Sequence, residues 1–256
     1  MMDRLRTALV WTMTGTCTAV CIWALGDAIA HGETFQVQEV VFVGTERAKP
    51  VQLRHLSDVR TGTHLFNADL ARAVQGVERH PWVQEATARR RFPGAVEIHV
   101  REHTPKMLLA LSDLWLVDAE ANVFKRADSD LLDFPILSGL DPELLEAHPR
   151  VARAIIDEAV DIHKAVDADE QIALSDLSEI HFDSRAGYAL VLRTGSRIVL
   201  GFADPAPALD RLARMKERGL NIETPQQIDL DVGSVAIATP LYSPPRQHSP
   251  PLSAEL

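Results

Sequence analysis

From His80 to Pro105 the chain alternates apolar and polar residues with the two-residue period of half-buried strands. Pro81 cannot continue a helix and pushes His80 out of the helical region, so His80-Pro81-Trp82 stops a helix and Val83 opens a strand. Ala86 and Ala88 then share one face, and Glu85, Thr87 and Arg89 the other. Phe92-Pro93-Gly94 reads as a turn. In the second strand Val96, Ile98 and Val100 form the apolar face, and Glu97, His99 and Arg101 the wet one. Glu102 to Pro105 closes the hairpin, since proline cannot donate to a ladder.

Upstream, residues 35–43 (F-Q-V-Q-E-V-V-F-V) predict a strand closed by Gly44. Residues 50–59 predict a short helix with Val51, Leu53 and Leu56 as its apolar set. Residues 67–79 predict a clearer helix: Asn67 as N-cap, Asp69 in the first turn, and Leu70, Ala73, Val74 and Val77 at i, i+3, i+4, i+7. The order over 31–105 is therefore β-α-α-β-β.

Downstream, Leu111, Leu114, Trp115, Leu116 and Val117, a polar turn at 118–122, and Val123 with Phe124 predict another hairpin. Val151, Ile155, Ala159, Ile162 and Val166 mark an amphipathic helix over 148–166, with Pro149 suited to its first turn. Residues 177–182, 188–193 and 197–202 read as an antiparallel meander, with turns at 183–187 and 194–196. A second helix over 205–219 starts at proline, stops at glycine, and turns Leu209, Leu212 and Ala213 inward. The last strand is read over 228–238, broken at Gly233-Ser234. The tail 240–256 holds 5 prolines in 17 residues and is expected to be disordered. The expected domain of this half is 106–239.

The N-terminus changes the picture from globular to tethered. After a short basic start, residues 1–6 with Arg4 and Arg6, the stretch Thr7 to Gly26 carries no charge for 20 residues, about a bilayer's worth of helix. Trp11 and Trp23 lie near its ends, and Arg4 and Arg6 before it place the N-terminus inside. The competing reading is a cleaved signal peptide, with Ala28-Ile29-Ala30 as its site.

Composition narrows the function. The net charge of -10 argues against a nucleic-acid protein, and Arg89-Arg90-Arg91 reads as a solvated strand end. Both cysteines, Cys17 and Cys21, sit in the uncharged stretch, so there is neither a disulfide framework nor a C-x-x-C zinc site. His99 and His103 lie four apart on a strand, where that spacing does not converge on one metal. Asp229 and Asp231 lack a partner acid or base, Ser138-Gly139 is not a nucleophile elbow, and Gly195 and Gly201 belong to no phosphate loop. The expectation is no enzyme, no cofactor and no small-molecule substrate.

Phe35-x-Val37-x-x-Val40 with Gly44, the link Gly62-Thr63-His64-Leu65-Phe66, and His80-Pro81-Trp82-Val83 leading to Arg91-Phe92-Pro93 together resemble a POTRA domain. Its ending in Glu102-x-x-Pro105 is similar to the FtsQ/DivIB family of bacterial cell-division proteins. Gly195, Leu200 and Gly201, and then Ile228-Asp229-Leu230, match that family's later strands, while Asp231 and Val232 depart from its pattern. The resemblance implies an α+β chain: a cytoplasmic tail (1–6), one transmembrane helix (7–26), a POTRA domain with Trp82, Val83, Phe92 and Pro93 as structural residues, and a β-rich domain. It implies a non-enzymatic scaffold in the inner membrane, enriched at the septum, that recruits septal peptidoglycan-synthesis partners through exposed sheet edges: bitopic proteins of the FtsB and FtsL type, with the POTRA domain as a further site for other divisome proteins. The expected partner-binding residues are Ile228, Leu230, Val232, Val235, Ala236, Ile237 and Ala238, on an open final strand. The alternative is a periplasmic POTRA-type polypeptide-binding component of an outer-membrane assembly or secretion system.

Overall fold

The computed structural model describes residues 11, 13–24, 35–129, 131–169, 172–202, 204–231 and 237–240. The chain divides into two compact units, Met1–His103 and Thr104–Leu256. Residues 11 and 13–24 are helical and exposed. Among the described residues no helix is long and apolar enough to cross a membrane. Residues 7–10, 12, 25 and 26 of the expected span lie outside them, as does the proline-rich tail beyond residue 240.

In the first unit β1 (Glu39–Val43) is followed by α1 (Pro50–Ser57), α2 (Leu70–Val77), β2 (Val83–Arg91) and β3 (Ala95–Glu102). The sheet runs β1-β3-β2, with β1 parallel and β2 antiparallel to the central β3. Leu53, Ala73, Val77, Val96 and Ile98 are fully buried between helices and sheet. Two helix details differ from expectation. The cap of α2 is Asp69, whose carboxylate accepts from the Arg72 N–H at 3.0 Å, rather than Asn67. Val51 points away from the core and is exposed.

Glu97 also departs from its expected place. It occupies the outer face of the central strand, yet it is buried beneath Arg89 (2.7 Å), His99 (2.7 Å) and Arg91. The hydrogen bond from Arg89 leads the interactions that hold its carboxyl below the usual range. Glu102 ends β3 with a different task. Its carboxylate accepts the backbone N–H groups of Glu46, Arg47 and Ala48 at 2.9–3.2 Å, tying the loop after β1 to the end of β3. Gly44 opens that loop at φ 86°, and a Cβ there would sit 2.3 Å from the Val100 carbonyl oxygen. Only glycine fits both the angle and the approach.

The described residues of the second unit form a nine-stranded sheet, β4 to β12 in chain order with β11 at Gln226–Asp229 and β12 at Ile237–Pro240, and its spatial order is β12-β11-β10-β9-β8-β7-β4-β5-β6. β4 (Pro105–Ala110), β5 (Leu114–Asp118) and β6 (Val123–Arg126) form an antiparallel meander. β7 (Ile136–Ser138) lies parallel to both β4 and β8 (Leu177–Asp183). β8, β9 (Gly187–Leu192) and β10 (Arg197–Gly201) form the expected second meander. The helices of this unit are α3 (Pro142–Ala147), α4 (Pro149–Ala168) and α5 (Pro205–Glu217). Ile155, Ile156, Ala159 and Ile162 of α4, and Leu209 and Leu212 of α5, join the strands' inward residues in one core.

Tyr188 and His163 are titratable groups buried in this unit. The Tyr188 hydroxyl donates to the Ile155 carbonyl at 3.0 Å, and burial pushes its phenol pKa up. His163 of α4 is buried; desolvation lowers its pKa below 6.5, Asp167 opposes this, and Lys106 and Lys164 add to it. A histidine with a depressed folded pKa binds its proton more readily when unfolded, so acid favours unfolding. The second unit is expected to lose stability as pH falls through about 6.5, with the loss levelling off below the depressed value. Thermal melts of the wild type and of His163→Gln across this range check the assignment. A slope unchanged in His163→Gln would assign the effect to other groups.

Candidate partner-binding edge

Among the described residues the nine-stranded sheet ends in β6 on one side and in β12 on the other, and these two end strands differ in chemistry. At one end β6 carries Lys125 and Arg126, which pair with Asp128 and Asp113. Charged side chains of this kind discourage strand addition. At the other end β12 (Ile237–Pro240) reads I-A-T-P and has no charge. Ile237, Ala238 and Thr239 are exposed, Ile237 at 51%.

The strand expected over 228–238 is two strands. β11 (Gln226–Asp229) runs parallel to β10, with Ile198 opposite Ile228, and Leu230 continues that line by donating to the Val199 carbonyl at 2.9 Å. β12 then returns antiparallel to β11, pairing Ile228 with Ala238 and Asp229 with Ile237. The break foreseen at Gly233-Ser234 falls in the segment between them. Val232, Val235 and Ala236 lie outside the described residues.

The hairpin divides the expected contact residues. Ile228 and Leu230 have no exposed surface and belong to the core beneath α5, where the Arg211 guanidinium donates to the Leu230 carbonyl. Their side chains are therefore unavailable to a partner, and the backbone of β11 is already paired on both sides. Ile237 and Ala238 stand on the edge strand. Gly201, at the end of β10, has φ 78°, and a Cβ there would lie 2.3 Å from an Asp231 carboxylate oxygen. Asp231 thus fills the space that the glycine leaves beside the start of the reversal.

Of the hairpin residues in the first unit, Trp82 and Val83 are buried. Phe92 and Pro93 are exposed at the turn. No group of three or more His, Cys, Asp or Glu side chains that could hold a metal occurs among the described residues. One polar triangle resembles catalytic machinery: Ser138 on β7 contacts both Glu179 and His181 on β8. Both the Ser138 hydroxyl (2.7 Å) and the Glu179 carboxylate (3.3 Å) approach the same ring nitrogen of His181, Nδ1. A relay needs the base held through one nitrogen and the nucleophile on the other, so this is a cross-strand polar network.

The residues of the first unit match the family model described as "POTRA domain, FtsQ-type" over 35–103. Residues 109–231 match the model described as "Cell division protein FtsQ/DivIB, C-terminal". Curated relatives agree over most of the chain. The cell division protein FtsQ of Myxococcus fulvus is 32% identical over 214 residues, covering 80% of this chain and 75% of that protein. That of Anaeromyxobacter sp. (strain K) is 35% identical over 200 residues, covering 75% and 68%. That of Syntrophotalea carbinolica is 32% identical over 203 residues, covering 78% and 72%.

The chain belongs to the FtsQ/DivIB family. It is a POTRA-bearing protein of bacterial cell division. Both family models and the curated relatives point to cell division, so the outer-membrane alternative is not favoured. The C-terminal match stops at Asp231, just before the segment that leads to β12.

Proposed function

We propose that this FtsQ/DivIB chain is a non-enzymatic bitopic scaffold of the divisome. Residues 7–26 form its single inner-membrane helix, residues 1–6 stay in the cytoplasm, and the POTRA and C-terminal domains lie in the periplasm. It captures bitopic partners of the FtsB and FtsL type by taking an extended segment onto β12. The observation that carries this reading is the contrast between the sheet's two ends: β6 is charged and β12 is not. Main-chain bonds to an open edge supply affinity, and the exposed Ile237 gives the added strand a side chain to grip. Val232, Val235 and Ala236 belong to the same proposed surface, and Ile228 and Leu230 support it from the core.

A fluorescent fusion to the N-terminus is expected to form midcell rings in dividing cells. Protease added to spheroplasts is expected to degrade the two periplasmic domains. A uniform envelope signal would count against the divisome role, and a protected bulk beside an intact cytoplasmic control would reverse the orientation.

A further inference from the structure

An aromatic cluster at one end of the first unit has no role in the core. Phe66 and Phe92 are 50% and 58% exposed, with ring centroids 5.6 Å apart. Phe35 closes the group at 6.4 Å from Phe66 and 6.5 Å from Phe92, and His64 stacks on Phe66 at 5.7 Å. Two large aromatic rings this open, side by side on a small domain, mark a surface that meets something apolar.

The rings are held in place. The Arg90 guanidinium donates to the carbonyls of Leu65 and Ala68 at 2.8 Å, and to that of Phe66 at 3.4 Å. The Leu65 N–H donates to the Phe35 carbonyl at 2.7 Å, while the Leu65 side chain is fully buried. Phe92 sits in the β2–β3 turn, next to Gly94, whose carbonyl accepts from the Gln38 N–H at 2.7 Å. The backbone beneath all three phenylalanines is thus pinned to the domain, and their exposure is part of the fold.

Chain direction identifies what lies next to them. β1 enters at Glu39 beside Ala95, where β3 begins and where β2 ends at Arg91. The cluster therefore lies at the end where the chain enters the domain from its N-terminal segment. The chain leaves at the far end of β3, eight residues and roughly 26 Å away along the strand. Residues 27–34 separate Phe35 from the uncharged stretch, and that many residues reach at most about 29 Å. Arg91, the residue before Phe92, pairs with Glu97 at 3.8 Å yet keeps a largely exposed side chain, and a base there suits a lipid headgroup.

The geometry points to Phe35, Phe66 and Phe92 as a membrane-resting face: the POTRA domain lies with this end in the interfacial layer of the bilayer that anchors the chain. This inference rests on the reading of residues 7–26 as a membrane span. The occupant is the lipid surface, because the tether keeps that surface within reach of this end of the domain at all times.

The full chain, with Cys17→Ser and Cys21→Ser, is reconstituted into liposomes and labelled with an environment-sensitive dye at a single new cysteine. Asn67→Cys is exposed beside Phe66; Arg79→Cys is exposed near the start of β2, at the opposite end. Lipids carrying a nitroxide just below the headgroup are expected to quench the dye at 67 several-fold more than at 79. Adding Phe66→Ser and Phe92→Ser is expected to remove the difference. No preferential quenching at 67 overturns the inference, and so does an apolar dye signal at 67 that lipid nitroxide does not quench, which would place a protein partner or a second copy on the face. Alkaline carbonate extraction of the same liposomes reports the span separately, so a failed anchor and a failed membrane face give different results.

Discussion

Replacing Trp82 with alanine is expected to unfold the POTRA domain. Trp82 is 7% exposed, and the Arg47 guanidinium lies over its ring at 4.8 Å. Its backbone is also engaged: its N–H faces the His80 Nδ1 at 3.3 Å, and its carbonyl accepts from the His103 N–H at 2.9 Å. The ring therefore sits where the β2–β3 hairpin, the loop after β1 and the end of the domain meet. Arg47 is placed over it by Glu102, which binds the Arg47 N–H at 2.9 Å. Truncating a buried tryptophan costs about 3–5 kcal/mol, a large share of the 5–15 kcal/mol that holds a typical domain. The cation–π contact adds roughly 0.5–1 kcal/mol at a partly exposed site. Trp82→Phe keeps most of the packing and is expected to lose far less. Thermal or urea unfolding of the wild type and both variants, followed by steady-state abundance in cells, measures this. A Trp82→Ala protein that melts at the wild-type temperature would show that the ring contributes recognition rather than stability.

Much of this arrangement is legible in the sequence, and the exceptions have physical causes. The β2–β3 hairpin is clear because one face is buried and the other wet, so Ala86 and Ala88 separate from Glu85, Thr87 and Arg89 by alternation alone. β4 is missed because it has no alternation: Met107, Leu108 and Leu109 are all fully buried, and a strand covered on both faces looks like any short apolar run. Glu97 looks solvent-facing because local pattern cannot show that two arginines from the neighbouring strand and its own His99 fold over it. Asn67 and Asp69 are equally good caps by type; only the turn of backbone at Arg72 decides for Asp69. The final strand is the instructive case. Gly233-Ser234 reads as an interruption in one strand, whereas the register shows a reversal, with Ile237 returning beside Asp229. That difference moves Ile228 and Leu230 from a contact surface into the core, and leaves Ile237 and Ala238 at the edge.

Ala238→Pro is expected to abolish capture of an FtsB- or FtsL-type partner while leaving both domains folded. On an edge strand alternate residues point their N–H and C=O groups inward to the ladder and outward to solvent. Proline is tolerated on edges where its missing N–H would face outward. Pro240 is opposite Gln226 at the end of β12, so the outward orientation suits it, and by the two-residue period Ala238 shares that orientation. Proline at 238 would then remove an N–H that an added strand needs, without taking one from the β11–β12 ladder. Ala238→Lys acts differently: it keeps the N–H but places a charge on an edge that now has none, as Lys125 does on β6. Both are expected to eliminate co-purification of the partner. Ala236→Pro or Ala236→Lys, in the preceding segment, is expected to weaken it in the same direction. Removing Pro244 to Leu256 is expected to change little, because that deletion leaves β12 intact. Pull-down of the full chain from membranes, with circular dichroism and melting as controls for folding, gives the result. If the tail deletion eliminates capture and Ala238→Pro does not, the tail is the binding element and β12 is a free edge with no partner.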